Sequence, residues 1–351
     1  MSSREKRRKR KREPSPESNP TPVSKPTPAS TPQWSSPIPS LPYDLVLLCV
    51  ARVSRLYYPT LSLVSKSFRS LVSSPELYKT RSLFGFTESC LYVCFTKDLW
   101  YTLCRKPDKT LKSGSSGYAL ARVPVPNSPS SVFRKVVAVG SNIYNIAMPT
   151  FLSVLPRVSI LDCKSHSWIE APSLPVELHS FSASVVDHKI YVAGFDHRLM
   201  KNSFEFHVVT NEGVLAYDPK QGKWDMVVGG MCGLMCSDDY CVIGNVLYSV
   251  YEGVFKWYDT ERRTWRDLQG LVGLPNITRR REFIRLGDYG GKMVVFWVHV
   301  IWTYYKKIWC AEISLERRPD TSEIWGKVEW FDQLRKININ FQVEKVLSTT
   351  L

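Results

Sequence analysis

Long apolar runs are missing from this 351-residue chain. The most apolar stretch, Met293 to Trp302, is ten residues long, about half of what a spanning helix needs, and it reads as strand. A secretory leader does not fit either, because the basic start runs into a Pro-rich stretch instead of an apolar segment. The nine cysteines are odd in number and lack disulfide-framework spacing, which fits reduced thiols in an intracellular compartment. Histidine is scarce: His166, His179, His188, His197, His207 and His299 include no pair at helical ligand spacing. Cys232, Cys236 and Cys241 lack a second ligand pair at zinc-site separation, so they read as buried thiols and no metal is expected. Glycine-rich phosphate loops are absent, as is a Ser or Cys nucleophile spaced with a His and a carboxylate. The expectation is a protein without catalytic residues and without a cofactor.

What the chain does have is charge, unevenly placed. The formal net charge is +15, and Arg4, Lys6, Arg7, Arg8, Lys9, Arg10, Lys11 and Arg12 are opposed locally only by Glu5. Such a block stays extended and solvated; it reads as a nuclear import signal, a nucleic-acid patch or a plain solubilising tail. A nucleic-acid role would rest on this tail alone and would be nonspecific and salt-sensitive. Residues 13 to 39 are rich in Pro, Ser and Thr with little to bury, so 1–37 is read as a disordered basic and Pro-rich tail. Arg279, Arg280 and Arg281 form a second basic run, read as a solvated loop. Together these features place the protein in the nucleus, the cytoplasm or both.

One device recurs downstream. Asp162 stands six residues before Trp168, Asp218 six before Trp224, and Asp259 six before Trp265. Each Asp closes a short run rich in β-branched and aromatic residues, so the pattern is strand, turn, strand. Asp can accept bonds from the N–H groups that follow it, Pro219 presets φ, and Gly222 can take φ > 0. A second element precedes each hairpin and carries Tyr144, Tyr191 or Tyr248. The Tyr steps are 47 and 57 residues and the Trp steps 56 and 41. Four short antiparallel strands recurring at this period are the signature of a β-propeller, with the tryptophans packing between blades. The pattern resembles the kelch repeat, although the double glycine after the Tyr strand is reduced to Ala193-Gly194 in one unit and absent after Tyr144 and Tyr248. The units fall at about 135–180, 181–234, 236–280 and 282–330. With a weaker first unit around Cys90–Cys94 and Trp100–Arg105, the count is five, with six as the alternative. In the fourth unit the Asp and its Trp are missing. Phe341–Leu347 alternates and is expected to close the ring.

Residues 38–84 differ in kind. Pro42 suits a first helical turn with Asp44 near the positive end of the dipole, and Leu45, Leu48, Cys49 and Val53 follow at helical spacing. Pro59 opens a second helix with Leu61, Val64, Phe68 and Leu71 as its apolar stripe, and Ser74-Pro75-Glu76 opens a third. The three blocks in order, Leu41-Pro42-Tyr43-Asp44-Leu45, Tyr58 to Leu71 and Ser74 to Tyr78, are similar to an F-box, as in plant F-box/kelch-repeat proteins.

The resemblance implies a small all-α F-box of three short helices at 38–84, followed by an all-β kelch-type propeller at 85–351. It further implies a non-catalytic, substrate-recognition subunit of an SCF-type ubiquitin ligase. The F-box would bind a Skp-family adaptor, and through it a cullin, while the propeller holds a protein substrate. The matching F-box positions are Leu41, Pro42, Leu45, Leu48, Pro59, Leu61, Val64 and Phe68, some of them core and some facing the adaptor. The alternatives are a kelch-propeller scaffold acting outside a ligase and a nuclear, nucleic-acid-associated protein.

Overall fold

The computed structural model describes residues 38, 40–107, 115–126, 128–129, 134–147, 157–173, 180–186, 189–195, 208–210, 213–218, 223–227, 240–251, 253–275, 277, 284–302 and 304–351. The basic tail, Gly222, Cys232, Cys236, Arg279–Arg281 and four of the six histidines lie outside the described residues. So do the side chains of Tyr191, Asp218 and Trp224, whose backbone is placed on strands.

Helices come first: α1 (Tyr43–Ala51), a 3-10 turn (Arg55–Tyr57), α2 (Tyr58–Val64), α3 (Lys66–Val72) and α4 (Pro75–Leu83). The expectation of three helices is corrected here to four. The predicted second helix is broken at Ser65, which sits in extended backbone (φ −159°, ψ 166°) and accepts a bond from the Phe68 N–H with its hydroxyl. A serine that caps a new helix outcompetes continuation of the old one. Pro42 is likewise the residue before α1 and not part of its first turn; its carbonyl accepts from the N–H groups of Leu45 and Val46.

Strands follow in antiparallel sheets. The first sheet joins β1 (Ser89–Phe95), β2 (Leu99–Arg105) and β3 (Tyr118–Arg122). The second holds β4 (Arg134–Val139), β5 (Asn142–Ala147), β6 (Arg157–Asp162) and β7 (Ser167–Ala171) in that order. Next come a two-stranded set, β8 (Ser180–Val186) and β9 (Lys189–Phe195), and a three-stranded set, β10 (Val208–Thr210), β11 (Gly213–Asp218) and β12 (Lys223–Val227). Two four-stranded sheets complete the series: β13 (Tyr240–Ile243), β14 (Val246–Tyr251), β15 (Val254–Asp259) and β16 (Thr264–Asp267), then β17 (Ile284–Tyr289), β18 (Lys292–Trp302), β19 (Tyr305–Arg317) and β20 (Ile324–Asn338). The final strand, β21 (Val343–Thr350), returns to pair with β1, giving the order β21-β1-β2-β3.

The repeated hairpin has one register. Asp162 faces Ser167, Asp218 faces Lys223 and Asp259 faces Thr264, so each turn spans four residues, and Trp168, Trp224 and Trp265 each face the residue before the Asp. Asp162 Oδ1 accepts from Lys164 N at 3.0 Å, and Asp259 Oδ1 accepts from Glu261 N and Arg262 N at 3.1 Å. Four residues after each of these Asp residues the backbone turns left-handed, at His166 (φ 56°) and Arg263 (φ 53°). The turn that opens the last sheet needs the same backbone twice, and Gly290-Gly291 supplies it at φ 63° and 84°. The fourth unit lacks the Asp turn, and its β19–β20 hairpin instead runs to strands of 13 and 15 residues.

The sheets stack radially through their first strands: β13 lies beside β17, β17 beside β21, β21 beside β4, and β4 beside β8. Apolar clusters fill the gaps between neighbouring sheets. Leu91, Val93 and Phe95 of the first sheet pack with Val294, Phe296 and Ile308 of the last, and Trp100 meets Trp168 of the second edge to face at 6.3 Å. This is a propeller, as the repeat implies. Arg134 at the start of β4 locks the closing strand, donating to Asp98, to Glu344 at 2.9 Å and to Cys94 Sγ at 3.2 Å.

The position of β21 generates a prediction. It is the inner strand of the first sheet and touches β17 and β4, so deleting residues 343–351 exposes the edge of β1 and unseals two sheet interfaces. The truncated protein is expected to be insoluble or to melt without cooperativity. An unchanged, soluble and cooperative melt would show that β21 is not the closing strand.

Candidate functional site

The helical module is built from caps inward. Ser54, Ser65 and Ser74 each turn a hydroxyl onto an N–H of the turn that follows: Leu56, Phe68 and Leu77. These bonds set where the 3-10 turn, α3 and α4 start, and such caps typically contribute about 1 kcal/mol each. The segments close around Val46, Val50, Ala51, Tyr58, Leu71, Val72 and Leu77, with Leu61 and Phe68 partly buried against them. Tyr58 and Tyr78 bury their rings and send their hydroxyls to the carbonyls of Val50 and Val72, at 3.2 and 3.1 Å.

This core differs from the stripe expected of α1. Val46 and Val50 are inside, whereas Leu45 is 51% exposed and Cys49 is exposed. Both faces of the helix are apolar, and periodicity alone favoured the wrong one. Of the eight positions singled out by sequence, Leu61 and Phe68 pack on the core, and Leu48 and Pro59 are intermediate. Leu41, Pro42, Leu45 and Val64 are exposed, as is Leu63, which the sequence did not single out. At 77% and 64% exposure, Leu63 and Val64 end α2 as an apolar step facing solvent. Two apolar pairs, Leu41 with Leu45 and Leu63 with Val64, are thus left outside a core that is already complete. Leu83 and Phe84, at the end of α4, are exposed as well, at 74% and 58%.

The residues that join this module to the sheets were not foreseen. Arg81 on α4 is 2% exposed and donates from Nη1 to the carbonyls of Ala51 and Val53, both at 2.8 Å, and to the Tyr58 hydroxyl. Its Nη2 meets Glu88 Oε1 at 2.7 Å. Glu88 also accepts from Ser54 Oγ at 2.8 Å and from the Arg55 N–H at 2.5 Å. The available signal was an arginine four residues after Leu77, on the buried face of α4.

Next to this junction lies His166, in the β6–β7 turn. The single hydroxyl proton of Tyr92 goes to the Cys163 carbonyl at 3.1 Å, so His166 Nε2–H donates to Tyr92 at 3.0 Å. Burial, reinforced by the charge of Arg55, pulls His166 down to about 4 from its ordinary 6.5. The folded state therefore binds a proton less readily than the unfolded chain. The stabilisation is complete above pH ~6.5 and is lost as pH falls toward ~4, to a limit of about 3 kcal/mol. Urea midpoints measured across this window should fall for the wild type. They should fall less for His166→Asn, which keeps the left-handed backbone accessible. Equal slopes would show that His166 is not the group responsible.

Among the described residues no helix is long and apolar enough to cross a membrane, and no group of three His, Cys, Asp or Glu could hold a metal. The propeller framework residues serve packing and turns: Tyr248 is buried, Tyr144 is intermediate, Trp168 packs between the first two sheets, and Trp265 meets Tyr258 across its own hairpin at 5.4 Å.

Comparison with known proteins accounts for both parts. An F-box domain model matches residues 38–80, and the FKB95, Kelch-repeats domain model matches residues 100–206 and 200–334. F-box/kelch-repeat protein At3g08810 of Arabidopsis thaliana is 50% identical, with all of both chains covered. At5g51250 of the same plant is 47% identical over 89% of this chain and all of its own. At4g39550, also from Arabidopsis thaliana, is 44% identical across the whole of both chains. The helical module is an F-box, the sheets are a kelch propeller, and the chain belongs to the F-box/kelch-repeat proteins.

Proposed function

We propose that this protein is the substrate-recognition subunit of a Skp–cullin–F-box ubiquitin ligase. The F-box docks a Skp-family adaptor, which links it to the cullin, and the propeller holds the protein to be modified. The observation that carries this reading is the pair of exposed apolar steps, Leu41 with Leu45 and Leu63 with Val64, on a module whose core is closed without them. They give an adaptor apolar surface to cover, and at about 25 cal/mol per Å² even a few such side chains contribute several kcal/mol on burial. The chain performs no chemistry in this scheme. It holds a substrate lysine beside a ubiquitin-charged enzyme, and proximity converts a bimolecular encounter into an effectively intramolecular one.

The test separates surface from core. Leu45→Asp with Val64→Asp alters two exposed positions on two helices, so folding should be unaffected while adaptor binding falls by at least ~100-fold, about 2.7 kcal/mol. The measurements are co-purification with a Skp-family adaptor and, beside it, the thermal midpoint of the variant. Wild-type adaptor binding with an unchanged midpoint would sink the proposal.

A further inference from the structure

We propose that the junction between the F-box and the first sheet is a binding site for a small organic anion with an apolar or aromatic body. A cavity of ≈ 360 Å³ lies there, within the range of volumes that hold drug-sized ligands. Its walls come from the 3-10 turn, α2 and α3 on one side, and from β1, β2, β3 and the β6–β7 turn on the other.

The lining has an uncompensated sign. Arg55, Arg69, Arg122 and Lys164 face the cavity, and among the described residues its one carboxylate is Glu88. Glu88 is committed elsewhere: it holds Arg81 at 2.7 Å, the Ser54 hydroxyl at 2.8 Å and the Arg55 backbone N–H at 2.5 Å. Among the described residues none of the four cations has an ion-pair partner. Arg134 and Arg266, at other sheet contacts, each reach two carboxylates.

Arg55 is the sharpest case. Its guanidinium donates to the Cys163 carbonyl, at 3.4 and 3.5 Å, and lies against the rings of Tyr58 and Tyr78. Arg55 is partly buried, and an anion in the cavity would give it the counter-ion that it lacks among the described residues. The same charge acts on His166, whose proton affinity is lowered first by burial and then by Arg55.

The remaining wall selects the ligand's other half. Leu56, Val72, Leu91, Leu103 and Val123 are apolar, and they surround the same space. Leu56 is the one of these still partly exposed, the other four being buried, so a ring carrying a phosphate or carboxylate has an apolar wall to pack on that a bare inorganic anion cannot use. Because the walls belong to two parts of the chain, such a ligand would also stiffen the angle at which the F-box is carried.

The experiment uses the full chain co-expressed with its adaptor, and isothermal titration calorimetry at constant ionic strength. Phenyl phosphate and benzoate are the probes; inorganic phosphate and benzyl alcohol supply the charge and the ring separately. Arg122→Ala with Lys164→Ala removes two cations from an exposed strand end and a turn, which leaves the core untouched; an unchanged thermal midpoint checks this. The expected result is saturable one-to-one binding of an aromatic anion that weakens about tenfold or more in the double variant, with both controls weaker than the probes. Such binding would also raise the melting temperature by mass action. No saturable binding of either probe, or equal binding by the double variant, overturns the proposal. Inorganic phosphate binding as tightly as phenyl phosphate overturns the claim for an apolar body. Adaptor co-purification in the same samples reports on the F-box separately, so failure here leaves the ligase reading standing, and the converse also holds.

Discussion

The fold turns on the ion pair between Arg81 and Glu88. Arg81 stitches the end of α1 to α4 by holding the Ala51 and Val53 carbonyls, and it reaches out of the helical module to Glu88. Glu88 in turn holds Leu351 with its backbone, through a pair of bonds of 2.8 and 3.0 Å, and Leu351 follows directly on the closing strand. One residue therefore bonds the F-box with its side chain and the sealed end of the propeller with its main chain. A module of about 40 residues is marginal by itself, since it buries too little surface to offset its chain entropy. Anchoring it beside the closing strand fixes where it sits on the propeller.

That arrangement gives the exposed apolar positions and the junction different residues of the module. The apolar steps at Leu41, Leu45, Leu63 and Val64 face solvent, while Arg55 reaches the Cys163 carbonyl in the β6–β7 turn and Arg81 reaches Glu88 just before β1. The strength of the anchor is asymmetric. Removing one partner of a buried pair leaves an uncompensated charge, typically at a cost of about 3–5 kcal/mol, although the intact pair contributes far less. The junction thus fixes geometry more than it adds stability.

Much of the propeller was legible in the sequence because its turns are local chemistry. Asp162 and Asp259 accept bonds from residues two or three positions on, and the left-handed residue falls four positions on, where the third copy carries Gly222. A spacing of that kind can be read without knowing the rest of the fold. The faces of α1 were misread for the opposite reason: Leu45 and Val46 are both apolar, and hydrophobicity does not distinguish a core from a surface awaiting a partner. Ser65 was passed over as a helix residue because its capping role depends on a backbone break that composition does not reveal. Arg81, Glu88 and Leu351 are joined only once α4, β1 and β21 are in place, and no local pattern announces such a contact.

The most direct test of the account is the coupling between its two halves. Arg81→Met, Glu88→Gln and the double variant form a thermodynamic cycle, read by denaturant unfolding with helical circular dichroism for the F-box and tryptophan fluorescence for the propeller. The wild type should unfold in one coincident transition. Each single variant should separate the two signals, with the F-box melting first, and the double variant should cost clearly less than the sum of the singles. Coincident transitions in every variant with additive costs would contradict the claim that this ion pair carries the junction.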